Sequence, residues 1–321
     1  MADILKGLKF CVGAVAKKDF VPALKHFLIE NQRVRGFNGI LALCSPIPFD
    51  IACKPDASTL IGAIACCEDT IQLSLTKAGS LTIKSGKFKM NVKCIQEDTP
   101  HVEPEGAVIN FDGQVLYDGL KAVEPFIGND ASRLWANGVL IKDGSLFATN
   151  NVILVQYWIG IAFPHVVNIP HAAIKEMLRI GEPPIYAQLS ENSITFHYSE
   201  NRWVRTQLYV TEWPDLARIL NRESMQTPIN EELFKALTAL KRFVEDKIEC
   251  IIFKPGVIAT HDEEGVGGSY EIDDMQYQGR YNLSMLALLE GKAQTIDWTG
   301  YPGPCIFQGG MLRGAIIGMK P

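Results

Sequence analysis

Cysteine, histidine and carboxylate side chains carry most metal and nucleophile chemistry, and this chain holds eight cysteines and six histidines. Their spacing decides what they can do. The thiols stand at Cys11, Cys44, Cys53, Cys66, Cys67, Cys94, Cys250 and Cys305, with no Cys-x-x-Cys pair. That scatter reads as buried thiols in a reducing compartment, not as a metal cage or a disulfide framework. The histidines (His26, His101, His165, His171, His197, His261) show no ligand spacing, and Pro170 breaks any helix face shared by His165 and His171. Asp262-Glu263-Glu264 and Asp273-Asp274 could offer oxygens to a divalent ion, but the spacing of a calcium loop is missing. Gly265-Val266-Gly267-Gly268 neither follows a strand nor opens a helix, so it does not cradle phosphate, and no Gly-x-Ser-x-Gly elbow is present. The expectation is a protein without catalytic activity, metal or cofactor.

The basic side chains are better organised. Lys17, Lys18, Lys25, Arg33 and Arg35 face only Asp19 and Glu30 across one short stretch, in a chain whose net charge is −5. Lys175, Arg179, Lys235, Lys241 and Arg242 fall on later segments of helical periodicity. Two explanations fit. One is a set of salt-bridged, solvated helix faces. The other is a helix-lined surface that attracts phosphates without reading sequence.

Helical spacing of apolar residues predicts six helices, over 17–28, 57–67, 114–126, 170–180, 231–244 and 283–289. Asp56 and Asn230 are plausible N-caps, and Pro170 suits a first turn. Between them lie strand-like segments at 39–44, 71–75, 138–141, 145–148, 152–158, 187–189, 249–253 and 257–260. Turn residues such as Lys142-Asp143-Gly144 and Lys254-Pro255-Gly256 separate them. One pattern recurs at about a third of the chain: an alternating strand, a small polar turn and a second strand, at 80–92, 193–205 and 305–317. The reading is an α+β fold of three similar domains, each two helices packed on an antiparallel sheet, with boundaries at 1–106, 107–220 and 221–321. Stretches 101–106 and 221–228 are the linkers.

At 321 residues there is room for two or three cores. The longest apolar run, Val152 to Phe163, is broken by Gln156 and is too short to cross a bilayer. The N-terminus lacks the basic stretch, apolar core and cleavage site of a leader, so cytoplasmic residence without membrane contact is expected.

The middle third resembles the second domain of the bacterial DNA polymerase III β subunit, the DNA sliding clamp. The resemblance rests on Ser132-Arg133-Leu134-Trp135-Ala136-Asn137-Gly138-Val139-Leu140, Leu146-Phe147-Ala148-Thr149-Asn150, Val167-Asn168-Ile169-Pro170 and Trp213-Pro214-Asp215-Leu216-Ala217-Arg218-Ile219-Leu220, in the family's order and spacing. Leu8-Lys9-Phe10, Phe37-Asn38-Gly39-Ile40-Leu41, Tyr281-Asn282-Leu283-Ser284 and Ile316-Ile317-Gly318-Met319 extend it more weakly over the whole length. The chain is shorter than most cellular members and so looks like a compact, phage-encoded version.

The resemblance implies half of a closed ring: two three-domain chains encircle duplex DNA, helices inward, and tether a DNA polymerase loaded by a clamp loader. DNA-facing positions carried over are Lys17, Lys25, Arg33, Arg35, Arg133 and Trp135, with core packing the competing role for Trp135. Lys175, Arg179, Lys235, Lys241 and Arg242 join them from charge and helix placement. The implied partner-peptide pocket between the second and third domains comprises Ala136, Thr149, Asn151, Val152, Ile153, Leu154, Pro214, Arg218, Ile219, Asn282, Met285, Ile316 and Met319. Residues 152–154 read equally as a buried strand. Two departures bear on this pocket: Asn150-Asn151-Val152-Ile153 stands where the family has Asp-Gly-His-Arg, and the chain ends Gly318-Met319-Lys320-Pro321 instead of in Met-Pro-Met-Arg-Leu. Ring closure would use Ile64 and Phe88 on one side and Phe243 and Val244 on the other, as a homodimer. The rival reading is a clamp-like scaffold or decoy that never closes and binds replication proteins as a monomer.

Overall fold

The computed structural model describes residues 2–16, 21–68, 70–245, 248–263, 265–273 and 275–320. Lys17, Lys18, Asp19, Phe20, Glu264 and Asp274, all part of the sequence argument, lie outside them. The fold is α+β, its sheets built from antiparallel pairs such as Leu28–Glu30 with Arg33–Phe37 and Ile153–Trp158 with Leu312–Ile317. Seven α-helices are described: α1 (Ala2–Cys11), α2 (Ala57–Ala65), α3 (Gly113–Val123), α4 (His171–Ile180), α5 (Ala217–Leu220), α6 (Glu232–Leu240) and α7 (Leu283–Ala287). None is long and apolar enough to cross a membrane.

By compactness the chain divides into two units, Met1–Tyr117 with Ile169–Tyr209, and Asp118–Asn168 with Val210–Pro321. The first unit holds a seven-stranded sheet. A meander of Leu28–Glu30, Arg33–Phe37 and Leu41–Pro46 supplies one part, and Arg202–Gln207, Ser193–Tyr198, Tyr186–Leu189 and Ala107–Asn110 continue it. The same unit holds a three-stranded sheet of Gln72–Leu75, Leu81–Ser85 and Phe88–Val92. The second unit repeats the plan. Its eight-stranded sheet runs from Val167–Pro170 through the meander Gly138–Lys142, Ser145–Thr149 and Ile153–Trp158, then Leu312–Ile317, Pro304–Gly309, Thr295–Ile296 and Thr227–Pro228. A four-stranded sheet completes it, ordered Ser269–Glu271, Val257–Ala259, Cys250–Lys254 and Gly279–Asn282.

The three repeated segments are all two-stranded hairpins, closing with Ser85 opposite Phe88, Tyr198 opposite Arg202 and Gly309 opposite Leu312. Two of them extend a meander in one register. Trp203, one residue into the second strand of its hairpin, stands opposite Cys44; Arg313, at the same point of the third hairpin, stands opposite Gln156. Cys44 and Gln156 are themselves equivalent, each two residues before the one opposite the start of the middle meander strand (Pro46 opposite Arg33, Trp158 opposite Ser145). Internal repetition therefore reaches the level of individual backbone pairs.

Local sequence explains most helices. Asp56 caps α2, its Oδ1 accepting from the Thr59 N–H at 2.8 Å and hydroxyl at 2.6 Å. Asn230 Oδ1 accepts from the Glu232 N–H at 3.0 Å at the start of α6, and Gly181, at φ 74°, ends α4. The helix expected over 17–28 is not there. Pro22–Lys25 form a short 3-10 turn and Leu28–Glu30 are already strand. Pro22 has no N–H to give an α-helix, and from Phe27 onward burial alternates with period two through Ile29, Val34 and Gly36. The helix of this repeat lies earlier, as α1, whose Ile4, Leu8 and Cys11 are buried at helical spacing. Its end sits so close to Arg33–Phe37 that a Cβ on Gly36 would come within 2.7 Å of the Cys11 carbonyl oxygen.

The thiols are unpaired. Cys11, Cys44, Cys67 and Cys305 are buried, Cys53, Cys94 and Cys250 half-buried, and Cys66 exposed. Burial pushes the Cys53 thiol up to about 12, reinforced by its neighbour Cys94, and raises Cys11, Cys44, Cys94, Cys250 and Cys305 as well. Since only thiolate attacks an electrophile, Cys66 is expected to react first with iodoacetamide at pH 7.5. Peptide mass mapping should find it alkylated well ahead of Cys53 and Cys11, and all eight modified after unfolding in guanidinium.

Candidate functional site

A concavity lined by several of the sequence-selected residues forms where the third hairpin joins the middle meander. Ile153–Trp158 and Leu312–Ile317 pair with Leu154 opposite Ala315. Gly314 makes the close packing possible: a Cβ there would strike the Phe307 ring and come within 2.6 Å of the Leu154 carbonyl oxygen. Leu140, Phe147, Leu154, Leu220, Ile306 and Ala315 form a buried cluster, with Trp213, Leu216 and Ile219 packed over it from the segment around α5. A cavity of about 250 Å³ opens beside this cluster.

Its floor and rim come from a turn held by side-chain hydrogen bonds. Asn150 Oδ1 accepts from the N–H groups of Val152 (3.1 Å) and Ile153 (2.8 Å). The Thr149 hydroxyl donates to the Ile153 carbonyl at 2.7 Å and accepts from the Asn151 N–H at 3.1 Å. Asn151 thereby holds φ 71°, a left-handed conformation that asparagine tolerates well. On the opposite wall the 3-10 turn Leu134–Ala136 presents Trp135, which packs edge-on against Trp213 with ring centroids 5.2 Å apart. Such a pair contributes about 0.5–1.5 kcal/mol beyond its buried area. The Asn137 side chain accepts from the Asp130 N–H through Oδ1 and donates to the Asp130 carbonyl through Nδ2, both at 2.9 Å, which fixes the loop that carries Arg133. The Asp130 carboxylate sits below its usual range because the Ser132 hydroxyl and N–H donate to it.

Of the residues the sequence put forward, Thr149, Asn151, Val152, Ile153, Leu154, Pro214 and Ile219 line this cavity, together with Arg133 and Trp135. Leu216, Pro304, Ala315 and Ile317 line it too and were missed. Ala315 and Ile317 alternate with Ile316 along one strand, so the face could be read only once the pairing was known. Ile316 and Ala136 are fully buried and present no surface to a ligand. Arg218 is exposed beside the cavity without lining it. Asn282 caps α7 by accepting from the Met285 N–H, and Asn150 Nδ2 donates to Met285 Sδ at 3.1 Å. Met319 is held by its N–H to the Arg280 carbonyl. These three lie off the lining.

The basic residues sort differently from the sequence reading. Arg33 and Arg35 are on the strand Arg33–Phe37, not a helix. Arg35 is half-buried and committed to Glu30 (3.2 Å) and Glu103 (2.5 Å). Lys25 belongs to the 3-10 turn. By contrast Lys175 and Arg179 are exposed on α4, Lys235 on α6, and Lys241 and Arg242 just after it. Arg179 also binds Glu176 and donates to the Phe10 carbonyl at 2.8 Å. Helix α1 exposes Lys6 and Lys9, and α3 exposes Lys121, three cations the sequence reading passed over. Ile64 is fully buried on the inner face of α2 and offers nothing to a second copy, whereas Phe88 and Val244 are half-buried and Phe243 is exposed. No group of three or more potential metal ligands gathers among the described residues.

No protein-family model matches the chain, and no curated protein matches it in sequence. Solved structures do. The DNA polymerase III β subunit of Pseudomonas aeruginosa superposes with a TM-score of 0.85 at 16% identity, over 100% of this chain and 98% of that one. The β subunit of Thermotoga maritima gives 0.83 at 15% over 100% and 98%, and the sliding clamp of Bacillus subtilis 0.82 at 15% over 99% and 97%. The fold is therefore that of the DNA sliding clamps, three similar domains in one chain. The resemblance drawn from a handful of motifs holds over the full length as a likeness of fold. The matches named here are bacterial proteins and lend no support to a phage origin.

Gly314→Ala is expected to destabilise the chain by about 1–3 kcal/mol, because the obstruction is backbone and cannot rotate away. Gly62→Ala serves as the contrast: that position is exposed on α2 with nothing near its Cβ, and should gain up to about 1 kcal/mol. Urea unfolding of both variants measures the pair.

Proposed function

We propose that the protein is a DNA polymerase processivity factor: a homodimeric sliding clamp that encircles duplex DNA without sequence specificity and has no catalytic activity. The cavity beside Val152 and Ile153 would receive a short apolar segment of the polymerase or of the clamp loader, with domains divided near residues 106 and 220. The observation that carries the reading is the fold likeness over the whole chain, at TM-scores of 0.82–0.85. The cations of α1, α3, α4 and α6 support it, since several weak, exposed charges attract phosphates without gripping them. The apolar lining supports a partner with hydrophobic anchors, as does the departure that puts Val152 and Ile153 where the family has His and Arg.

Closure into a dimer is supported by what the sheets leave open. In two repeats the hairpin extends a neighbouring meander. The first hairpin ends its sheet at Phe88–Val92, and the third meander ends its own at Ser269–Glu271. Unpaired edges of this kind invite another strand. Lys89 holds the hairpin position of Trp203 and Arg313. Ser269, two residues before Glu271 opposite Val257, holds the meander position of Cys44 and Gln156. By analogy with the internal repeat, Lys89 of one copy would stand opposite Ser269 of another, and a head-to-tail pair of such joins would make a closed twofold assembly. The rival reading, a clamp-like monomer acting as scaffold or decoy, draws on the shortness of Ser269–Glu271, three residues against six in Ile153–Trp158.

Sedimentation should give a mass near twice 35.5 kDa, and the protein should stay on closed circular DNA and leave it after linearisation. Retention indifferent to linearisation, or a monomer at every concentration, contradicts encirclement. For the register, Lys89→Cys combined with Ser269→Cys should give a disulfide-linked dimer on mild oxidation. Asn91→Cys with Glu271→Cys, four residues out of register, should not.

A further inference from the structure

The second unit contains another cavity, of about 170 Å³, that the clamp reading does not use. It lies in the third repeat, walled by Phe253, Tyr277 and Trp298 together with Leu233 and Ile272. The rings pack into one aromatic wall: Trp298 stands 5.3 Å from Phe253 at 68° and 5.8 Å from Tyr277 at 39°. The Tyr277 hydroxyl donates to Thr227 Oγ1 at 3.1 Å, which locks that wall in place. Trp298 sits on the connection 297–303, longer than its counterparts 76–80 and 190–192 in the other repeats. The aromatic wall is thus an addition to the repeated plan. Among the described residues one charged side chain lines the cavity, Asp273, which is exposed.

A cavity with an aromatic wall and one carboxylate in its lining has a definite chemical preference. The ring faces carry negative potential that attracts a cation, and their apolar bodies favour one sheathed in carbon. We propose that this cavity binds an alkylammonium group, its carbon shell against Trp298, Tyr277 and Phe253 and its charge beside Asp273. A free quaternary amine and a lysine side chain share that chemistry. The site is small, so it takes a head group or a single side chain and not a drug-sized molecule. It is independent of the DNA-clamp reading and would survive its failure.

The full chain is titrated separately with choline, with N-acetyl-lysine methylamide, and with 3,3-dimethylbutan-1-ol, the neutral isostere of choline. Binding is followed by tryptophan fluorescence and by the NMR shift of the Trp298 indole N–H, assigned with Trp298→Phe. A saturable shift with at least one cation, about tenfold weaker or absent with the neutral alcohol, supports the proposal, and the stronger cation identifies the source. Asp273→Asn, on the surface and so harmless to folding, should weaken the cation about fivefold to tenfold and leave the alcohol unchanged. Equal binding of alcohol and choline, indifference to Asp273→Asn, or no shift with either cation overturns it.

Discussion

A strand at the edge of a sheet leaves a row of backbone N–H and C=O groups that must pair, be covered or be solvated. In this chain that constraint organises the rest. Each repeat makes a meander and a hairpin, neither of which is a complete sheet. The hairpin at Ser193–Gln207 completes its sheet on Leu41–Pro46, and the one at Pro304–Ile317 completes its sheet on Ile153–Trp158, in the same register. Joins of this kind cannot slip, because a one-residue shift would turn every buried side chain to the wrong face. Gly314 and the Phe307 ring packed beneath it show how closely the second join is fitted. The first hairpin and the third meander have no such join among the described residues, and Phe88–Val92 and Ser269–Glu271 stand as sheet edges.

The cavity beside Val152 is a by-product of that pairing. The join lays Ala315 and Ile317 along the meander, and the α5 segment then covers part of the exposed apolar surface with Trp213, Leu216 and Ile219. The Asn150 turn stops the strand before it can fill the remaining space. Apolar walls therefore come from the sheet and the α5 segment, and the opening comes from a turn held by two polar side chains, Thr149 and Asn150. Changing a wall residue alters the fit of whatever binds, whereas changing the join threatens the sheet itself.

Charge follows the elements in a way that composition conceals. The chain is acidic overall, yet its longer helices expose lysine and arginine, while the arginines of the sheet are spent internally. Arg35 binds Glu30 and Glu103, Arg202 binds Glu182 at 2.6 Å, and Arg205 binds Glu105. Half-buried guanidinium groups satisfied by carboxylates fasten a segment in place and hold little attraction for a distant phosphate. The stretch 103–105 is pinned across the sheet in this manner, with Val102 packed near Trp203 and Ala42. Lys6 pairs with Glu200, Arg179 with Glu176 and Lys235 with Glu232, but these pairs are exposed on at least one side, where solvent screens them and weakens their hold.

Although it missed alternating strands such as Arg33–Phe37 and Gly279–Asn282, the sequence by itself determined the α+β class, the three hairpins, the middle meander, and helices α2, α3, α4, α6 and α7. These depend on periodicity and turn chemistry, which are local. Asp56 could be named as a cap because its partner is three residues away. It misplaced the first helix because apolar spacing over 17–28 outweighed the one residue, Pro22, that forbids it. With that went the placement of Arg33 and Arg35. Tertiary structure alone decided which strands join. It made Ala315 and Ile317 lining residues and Ile316, Ala136 and Ile64 core, and it brought Trp298 to Phe253 and Tyr277. Those outcomes rest on contacts between residues far apart in the chain, where a side chain's face is set by the register of a partner strand. No local pattern carries that information.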